Sequence, residues 1–273
     1  MISDTIAEDT LILAQNTAEI AAREAGKYLK EKRGKAEVVR KKALRDYLLD
    51  ADLIAERIII NKLQENFPNY EILSEETQEE YKVSPYKWVV DPLDGSANFQ
   101  HGSPVFAVSI SLLINAVTTI GVTYLPVLDE IFTALLGHGA LLNGQPISVS
   151  NISNLDDAMV YVGDFSKDGN RDENEERIVN VARLANAVGR VRMIGTAATD
   201  LAYVACGRAD ALIVHNPSPW DIEVGHLLIN EAGGKVTRHN DEVGGNLVIC
   251  SNGMIHEELM KSVFTGRPVL DWS

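Results

Sequence analysis

The stretch Trp88-Val89-Val90-Asp91-Pro92-Leu93-Asp94-Gly95-Ser96-Ala97-Asn98-Phe99 decides how the whole chain is interpreted. An apolar run typical of a buried strand ends in two aspartates, and a Gly-Ser step follows. Pro92 fixes its own φ and restricts the backbone of the residue before it, so the directions in which the two aspartate side chains leave the chain are restricted. Two carboxylates this close repel each other unless a positive charge lies between them. No Lys or Arg occurs from Trp88 to Ser109, so the sequence favours a bound divalent cation, and hard oxygen ligands favour magnesium over zinc.

The same motif also has an ordinary structural explanation, because Asp-Pro and Asp-Gly are common turn dipeptides. Taken alone, it supports a turn and a metal site equally well. An EF-hand is excluded, because no loop of alternating acidic ligands ending in Glu follows.

Composition indicates an ordinary globular protein, since 45% of the 273 residues are hydrophobic and 23% are charged. The net charge of -14 argues against binding to nucleic acid or to an anionic membrane. The uncharged run from Gly102 to Leu128 contains two prolines and many β-branched residues, which favours a hairpin turning at Asn115-Ala116 over a membrane span. Cys206 and Cys250 cannot form a disulfide framework and predict reduced thiols in a cytoplasmic protein. The first residues show no pattern typical of a secretory signal.

Further acids occur at predicted element ends in the first half of the chain. Helical spacing of apolar residues predicts helices over Thr5 to Lys32 and Asp46 to Phe67, and helix capping alone would explain Asp52. Ser74-Glu75-Glu76 follows a short predicted strand, where an exposed acidic turn is the ordinary alternative. The basic segment from Lys27 to Arg45 is expected to be a solvated loop or helix end; the alternative is a loop that brings a Lys over an anionic substrate.

In the second half, an exposed loop is predicted before a helix from Glu176 to Ala187. The strand from Arg190 to Ile194 precedes Gly195-Thr196-Ala197-Ala198, where free N–H groups at a helix start could bind an anion, or Thr196 could simply cap the helix. Asp221 is expected at the N-cap of a helix from Ile222 to Ala232. The many short strands predict a large, mostly antiparallel sheet covered by helices, and we expect an N-terminal half (1–148) and a C-terminal half (149–273).

These motifs, taken in order, resemble the inositol monophosphatase family of magnesium-dependent, lithium-sensitive sugar phosphatases. The matching segments are 46–52, 74–76, 88–99, 195–198 and 219–221. The resemblance implies an α/β fold, a layered α-β-α-β-α sandwich of the sugar phosphatase type, and a homodimer. It also implies an enzyme that hydrolyses a small phosphorylated metabolite with an activated water and without a phosphoenzyme.

The resemblance assigns roles to particular residues. Two or three Mg²⁺ ions would be held by Glu75, Asp91, the carbonyl oxygen of Leu93, Asp94 and Asp221. The catalytic group around the attacking water would be Asp52, Glu75 and Ser96. The phosphate would be bound by Gly95, Ser96, Gly195, Thr196 and Ala197.

Three positions depart from the family pattern. Ser96 stands where Thr is more usual and keeps the hydroxyl, whereas Leu49 replaces a Thr. Val214 stands where inositol phosphatases have a Glu that binds a substrate hydroxyl, and His215 should face the other side of the strand. The expected substrate is inositol monophosphate or a related sugar phosphate; histidinol phosphate, fructose 1,6-bisphosphate and adenosine 3',5'-bisphosphate are the alternatives. A regulatory binding protein in transcription or RNA processing is the non-enzymatic alternative.

Overall fold

The computed structural model describes residues 7–77, 84–240 and 246–265. The helices of this part are α1 (Glu8–Lys32), α2 (Asp50–Asn66), α3 (Ser96–Gln100), α4 (Arg171–Ala185), α5 (Ala197–Ala205), α6 (Pro219–Glu231) and α7 (His256–Thr265). The strands are β1 (Val38–Ala43), β2 (Asp46–Leu49), β3 (Glu71–Ser74), β4 (Tyr86–Asp94), β5 (Ala107–Ile114), β6 (Val117–Leu125), β7 (Glu130–Leu135), β8 (Ala140–Leu142), β9 (Gln145–Pro146), β10 (Met159–Val162), β11 (Arg190–Arg192), β12 (Ala211–His215), β13 (Lys235–Asn240) and β14 (Asn246–Ser251).

In the described part of the chain, two large sheets alternate with three helical layers, and β1 and β2 form a separate two-stranded sheet. The larger sheet has the order β3-β4-β5-β6-β7-β8-β9 and is antiparallel except between β3 and β4, as predicted. The smaller sheet has the order β11-β10-β12-β14-β13. Helices α1 and α2 contact the larger sheet, α5 and α6 contact both sheets, and α7 contacts the smaller sheet and α4. The predicted layered α-β-α-β-α sandwich is confirmed.

The hairpin between β5 and β6 turns at Asn115 and Ala116, whose φ angles are 51° and 64°. Two consecutive positive φ values match the right-handed twist of the flanking strands. The uncharged run is therefore a pair of sheet strands, as predicted. Of the helices in the described residues, none combines the length and apolar character needed to cross a bilayer.

Helix α1 packs closely on the larger sheet through a face of small residues. Ala18, Ala22 and Ala25 are fully buried. A Cβ atom added at Gly26 would lie 2.5 Å from the ring of Tyr124 on β6. The one weak helix former in this segment is thus the residue that permits the close approach.

Several element boundaries differ from the predicted ones, and local hydrogen bonds explain two of them. Helix α4 begins at Arg171 rather than at Glu176, because the Asn170 side chain caps it by accepting from the N–H groups of residues 172 and 173. Helix α6 begins at Pro219 with Ser218 as its N-cap, so the prediction that Asp221 is the N-cap was wrong. Residues 46–49 form a strand before α2 rather than its first turn. The start of the first predicted helix, at residue 5, lies outside the described residues.

Candidate active site

The acidic motif lies where β4 is interrupted by a bulge. Asp91 is opposite Ser109 and Asp94 is opposite Ala107, with a shift in register between the two pairs. Pro92 cannot donate to the ladder, and the N–H of Leu93 donates to Asp91 Oδ1 instead, at 3.0 Å. A bulge bends the strand and re-aims its side chains. This segment therefore combines the predicted strand with the predicted turn-like hydrogen bond from the Asp91 side chain to the backbone.

Two glycine loops, one from each half of the chain, meet directly beside the motif. Gly95 has a φ of 89° and Gly195 a φ of 85°, both in the left-handed region that favours glycine. A Cβ at Gly95 would lie 3.2 Å from Thr196 Cβ and 3.3 Å from Gly195 O. The Asn98 side chain fastens the contact by donating to Ile194 O at 2.8 Å and to Val105 O at 3.0 Å. The predicted phosphate-binding residues of both segments therefore lie side by side.

Asp94 joins the first half of the chain to the start of α5. Its Oδ2 accepts hydrogen bonds from Thr196 Oγ1 and from the N–H of Ala198, each at 2.6 Å. Thr196 is also the N-cap of α5, because its hydroxyl accepts from the N–H of Thr199. Burial raises the pKa of Asp94 to about 6 against the opposing effect of these two bonds. The helix start thus binds an anion, and in this structure the anion is Asp94.

Asp221 approaches the same place from α6. It is the third residue of that helix, and its Oδ2 accepts from the N–H of Ser218 at 2.8 Å. Burial and repulsion by Asp94 raise the pKa of Asp221 to about 7. Burial, followed by repulsion from Glu75, Asp94 and Asp221, holds the pKa of Asp91 well above its usual range. These carboxylates, far apart in sequence, are close enough to oppose one another's ionisation.

Asp52 and Ser96 form a pair next to the bulge. Asp52 is only 1% exposed, and its Oδ2 accepts from the N–H of Leu49 at 2.7 Å. The Ser96 hydroxyl lies 3.0 Å from Leu93 O and 3.5 Å from Asp52 Oδ1. Burial raises the pKa of Asp52 to about 8, and repulsion from Glu76 and Glu75 adds to the effect. Ser96 thus contacts both the predicted carbonyl ligand and the predicted acid.

The basic segment supplies a cation to the site. It runs from the last turns of α1 into the largely exposed strand β1. Lys42 of that strand lies inward, with its Nζ 2.7 Å from Glu75 Oε1 and 3.0 Å from Glu76 Oε1. Although burial lowers the pKa of Lys42, attraction to Glu75 and Glu76 outweighs it and raises the pKa. Most of β1 is exposed, as the expectation of a solvated segment predicts, and Lys42 pairs with two acids; the alternative of a Lys over an anionic substrate stays a prediction.

Within the described ranges, no group of three or more His, Cys, Asp or Glu side chains stands in an arrangement that could hold a metal ion. Glu75 is bonded to Lys42, Asp94 to the start of α5, and Asp221 to Ser218. The donor set itself fits a hard cation, because carboxylate oxygens are the ligands that Mg²⁺ prefers. Buried acids also repel one another when they ionise, and a bound cation would neutralise that negative charge.

Sequence reasoning missed two charged residues near the site. Asp200 on α5 is 1% exposed, its Oδ1 has no hydrogen-bond partner, and burial with repulsion from Asp94 and Asp164 raises its pKa well above the usual range. The sequence did contain a sign of Asp200, because it is the one acid in the otherwise mostly apolar segment 197–205. Lys167, in the loop before α4, lies 3.7 Å from Asp46 and carries no motif of its own.

The side chains of Val214 and His215 lie on opposite sides of β12, as predicted. Val214 packs in the core between the two sheets, whereas His215 contacts Asn180 of α4 at 3.3 Å. His215 also lines a cavity of about 140 Å³ with Arg177 of α4 and Phe264 of α7. None of the predicted site residues lines that cavity.

Comparison with known proteins gives consistent matches. A model of the "Inositol monophosphatase family" matches residues 13–265. An inositol-1-monophosphatase of Synechocystis sp. is 37% identical over 80% of this chain and 77% of its own length. The Nus factor SuhB of Xylella fastidiosa is 39% identical over 79% of this chain and 78% of its own. The crystal structure of the extragenic suppressor protein SuhB from Bartonella henselae superposes with a TM-score of 0.85 at 36% identity, covering 92% of this chain and 98% of that one.

Proposed function

The chain is a phosphatase of the inositol monophosphatase family, and we propose that it is a magnesium-dependent phosphomonoesterase acting on a small phosphorylated metabolite. One observation carries the proposal: Asp221 of α6 comes together with Asp91 and Asp94 of β4, and burial with repulsion from neighbouring acids raises the pKa of all three beside the contact between Gly95 and Gly195.

In this proposal Glu75, Asp91, the Leu93 carbonyl, Asp94 and Asp221 hold two or three magnesium ions. When bound, the ions neutralise the phosphate, lower the pKa of the attacking water and stabilise the leaving alkoxide. Glu75 must first exchange its bond to Lys42 for one to a cation. The proposal extends to a homodimer, as the family resemblance implies, and to a cytoplasmic location, as two cysteines that form no disulfide framework suggest.

The protein's own groups position the reactants. The N–H groups at Gly95, Ser96 and residues 195–197 can donate to the phosphate oxygens, since those of Ala198 and Thr199 are already used. If the Ser96 hydroxyl donates to Asp52, its lone pair accepts a hydrogen bond from the water and orients it. With its pKa lowered from about 8 when cations are bound, the Asp52 carboxylate would accept the proton of Ser96 while the Ser96 oxygen accepts one from the water, so that the water loses a single proton.

The test uses Asp94→Asn and Asp221→Asn, assayed for phosphate release from a panel of small phosphomonoesters with and without magnesium. We expect the wild type to release phosphate only with magnesium, and both variants to lose at least a hundredfold in kcat/KM. Titration calorimetry with magnesium alone should show weaker binding in both variants, with unchanged circular dichroism. Asp156→Asn, the same substitution at an exposed acid outside the proposed site, is the matched control. Variants that retain activity and bind magnesium normally would overturn the ligand assignment.

Lithium provides an independent test of the family chemistry. We expect millimolar lithium to inhibit the magnesium-dependent activity, because a small hard cation competes for the same carboxylate oxygens. An active enzyme that is indifferent to lithium would contradict this part of the proposal.

The similarity to Nus factor SuhB favours one alternative, a regulatory binding protein. The intact acids at every proposed metal position favour the enzyme, and the net charge of -14 disfavours direct RNA contact. One variant, Asp94→Asn, separates the two functions in two assays. Loss of phosphate release is expected for a phosphatase. Complementation of a SuhB deletion by the same variant would support the regulatory function.

A further inference from the structure

The cavity that His215 lines lies on the side of the smaller sheet that α4 and α7 cover. His215 at the end of β12 pairs with Leu247 at the start of β14, and both residues belong to its walls. The other walls come from α4, β13 and the end of α7. The residues proposed to bind metal and phosphate lie elsewhere, so the hydrolytic reaction leaves this cavity without a role.

Arg177 of α4 places a positive charge in the wall of the cavity. It is only 7% exposed, and its Nη1 donates to Asp164 O at 2.5 Å. The rest of the guanidinium is poorly paired, because Nη2 lies 3.4 Å from Glu173 Oε2 and Nε is buried without a hydrogen-bond partner. A buried charge with incomplete pairing is costly. A bound anion would complete the pairing, and a planar carboxylate matches the geometry of a guanidinium.

Asn246 contributes an unpaired atom of the opposite kind to the same wall. Its backbone is fixed, because its N–H donates to Asn216 Oδ1 and its C=O accepts from the N–H of Asn216, each at 2.7 Å. Its side-chain Oδ1 is buried and accepts no hydrogen bond. A buried acceptor without a donor is also costly. A ligand suited to this wall therefore carries an N–H or O–H donor as well as a carboxylate.

Both unpaired atoms, Arg177 Nε and Asn246 Oδ1, are shielded from solvent. A ligand in the cavity reaches them through a small change in the side chains of the wall. Such rotamer changes are common when a binding site is filled.

Two glutamates determine which charge the donor should have. Glu173 and Glu176 line the cavity together with Arg177, so α4 presents two negative charges and one positive charge to it. A dianion such as phosphate would be repelled by the two carboxylates. A molecule with one carboxylate and one ammonium group would find a partner of the opposite sign for each.

The remaining walls and the volume limit the rest of the ligand. Leu247 is buried, and the ring of Phe264 lies against that of His239 with the ring centroids 4.5 Å apart. These side chains offer an apolar surface. Because one water needs about 10–15 Å³ of such volume, the cavity of about 140 Å³ accommodates roughly ten non-hydrogen atoms.

We propose that this cavity binds a free α-amino acid with an apolar side chain. The carboxylate of the ligand pairs with Arg177, and its ammonium group pairs with Glu176 and Asn246. Its side chain packs against Leu247 and Phe264. This binding uses none of the residues proposed for hydrolysis and is independent of that reaction.

The test measures binding of L-leucine, L-methionine and L-phenylalanine to the full chain by titration calorimetry at pH 7. At least one of them should bind and should raise the melting temperature. Two analogues of that amino acid are then compared with it: the amide, which lacks the carboxylate, and the deaminated acid, which lacks the ammonium group. Each analogue should bind at least tenfold more weakly, as expected for the loss of a charge-assisted hydrogen bond.

Three variants place the ligand in the cavity. Arg177→Gln should weaken binding by about tenfold to a hundredfold, because it removes the cation that pairs with the carboxylate. Glu176→Gln should weaken it by about threefold to tenfold, because Glu176 is exposed and its attraction for the ammonium group is screened by water. Glu175→Gln, at an exposed acid of the same helix that does not line the cavity, is the matched control and should bind as the wild type does.

The inference is overturned if none of the three amino acids binds, or if either analogue binds as tightly as its parent. Full affinity in Glu176→Gln would also overturn it, because the ligand would then lie elsewhere. That exposed substitution keeps the test decisive even if Arg177→Gln fails to fold. Phosphate release enters none of these measurements, so failure of this inference and failure of the proposed function are distinguishable.

Discussion

The acidic site should cost stability when no metal is bound, and Asp221→Asn measures that cost. Burial and the neighbouring carboxylate raise the pKa of Asp221 from 3.8 to about 7. Each pKa unit corresponds to about 1.4 kcal/mol, so ionised Asp221 destabilises the native state by up to about 4 kcal/mol. Asn has the same shape, and its side-chain oxygen can still accept from Ser218. Without metal at pH 8, the variant should therefore be more stable by about 2–4 kcal/mol, a rise in melting temperature of roughly 5–10 °C.

The pH dependence of the unfolding free energy tests independently whether ionised Asp221 destabilises the native state. Because the native pKa is raised, the stability from protonated Asp221 is fully present below about pH 4 and is lost as the pH rises through about 7. The advantage of the variant should therefore be largest at pH 8 and vanish near pH 4. The assay is thermal melting of both proteins in EDTA across this range, followed by melting with magnesium at pH 8, where the wild type should gain more than the variant. A variant less stable than the wild type at pH 8 in EDTA would refute the reasoning.

Three further predictions concern stability and use urea unfolding in EDTA at pH 8. Lys42→Met should destabilise by about 2 kcal/mol, because it removes the cation shared by two partly buried glutamates; Lys41→Met is the exposed control, and equal stability of both variants would show that the pair contributes nothing. Gly225→Ala should cost about 3 kcal/mol, because its Cβ would lie 2.4 Å from Leu201 Cβ where α5 and α6 pack; a neutral result would mean that the helices can separate freely. Asp200→Asn should leave stability unchanged or increase it, because the carboxyl is buried with a raised pKa; a clear loss would point to a missed hydrogen bond.

The proposed site residues could be singled out in the sequence because each lies near the end of a regular element. The strand into Asp91, the short strand into Glu75 and the glycine-led start of α5 all show local patterns. The hairpin at Asn115-Ala116 followed from its composition in the same way. Residue type and position relative to an element end were sufficient to single out these residues, whereas their proposed roles came from the order of several motifs and the family resemblance.

The remaining features depend on contacts between distant segments. The start of α4 depends on a side-chain cap by Asn170, which no apolar period marks. The bonds from Asp94 to α5, and from Lys42 to Glu75, join residues far apart in sequence. A lysine in a basic run has the same local pattern whether it is solvated or turned toward an acid.

The contact between Gly95 and Gly195 has a consequence for how the site assembles. The two glycines belong to opposite halves of the chain, and beside them Asp94 Oδ2 accepts hydrogen bonds from Thr196 and Ala198. Neither half can build this arrangement alone. The arrangement can therefore exist only after both halves have folded and met.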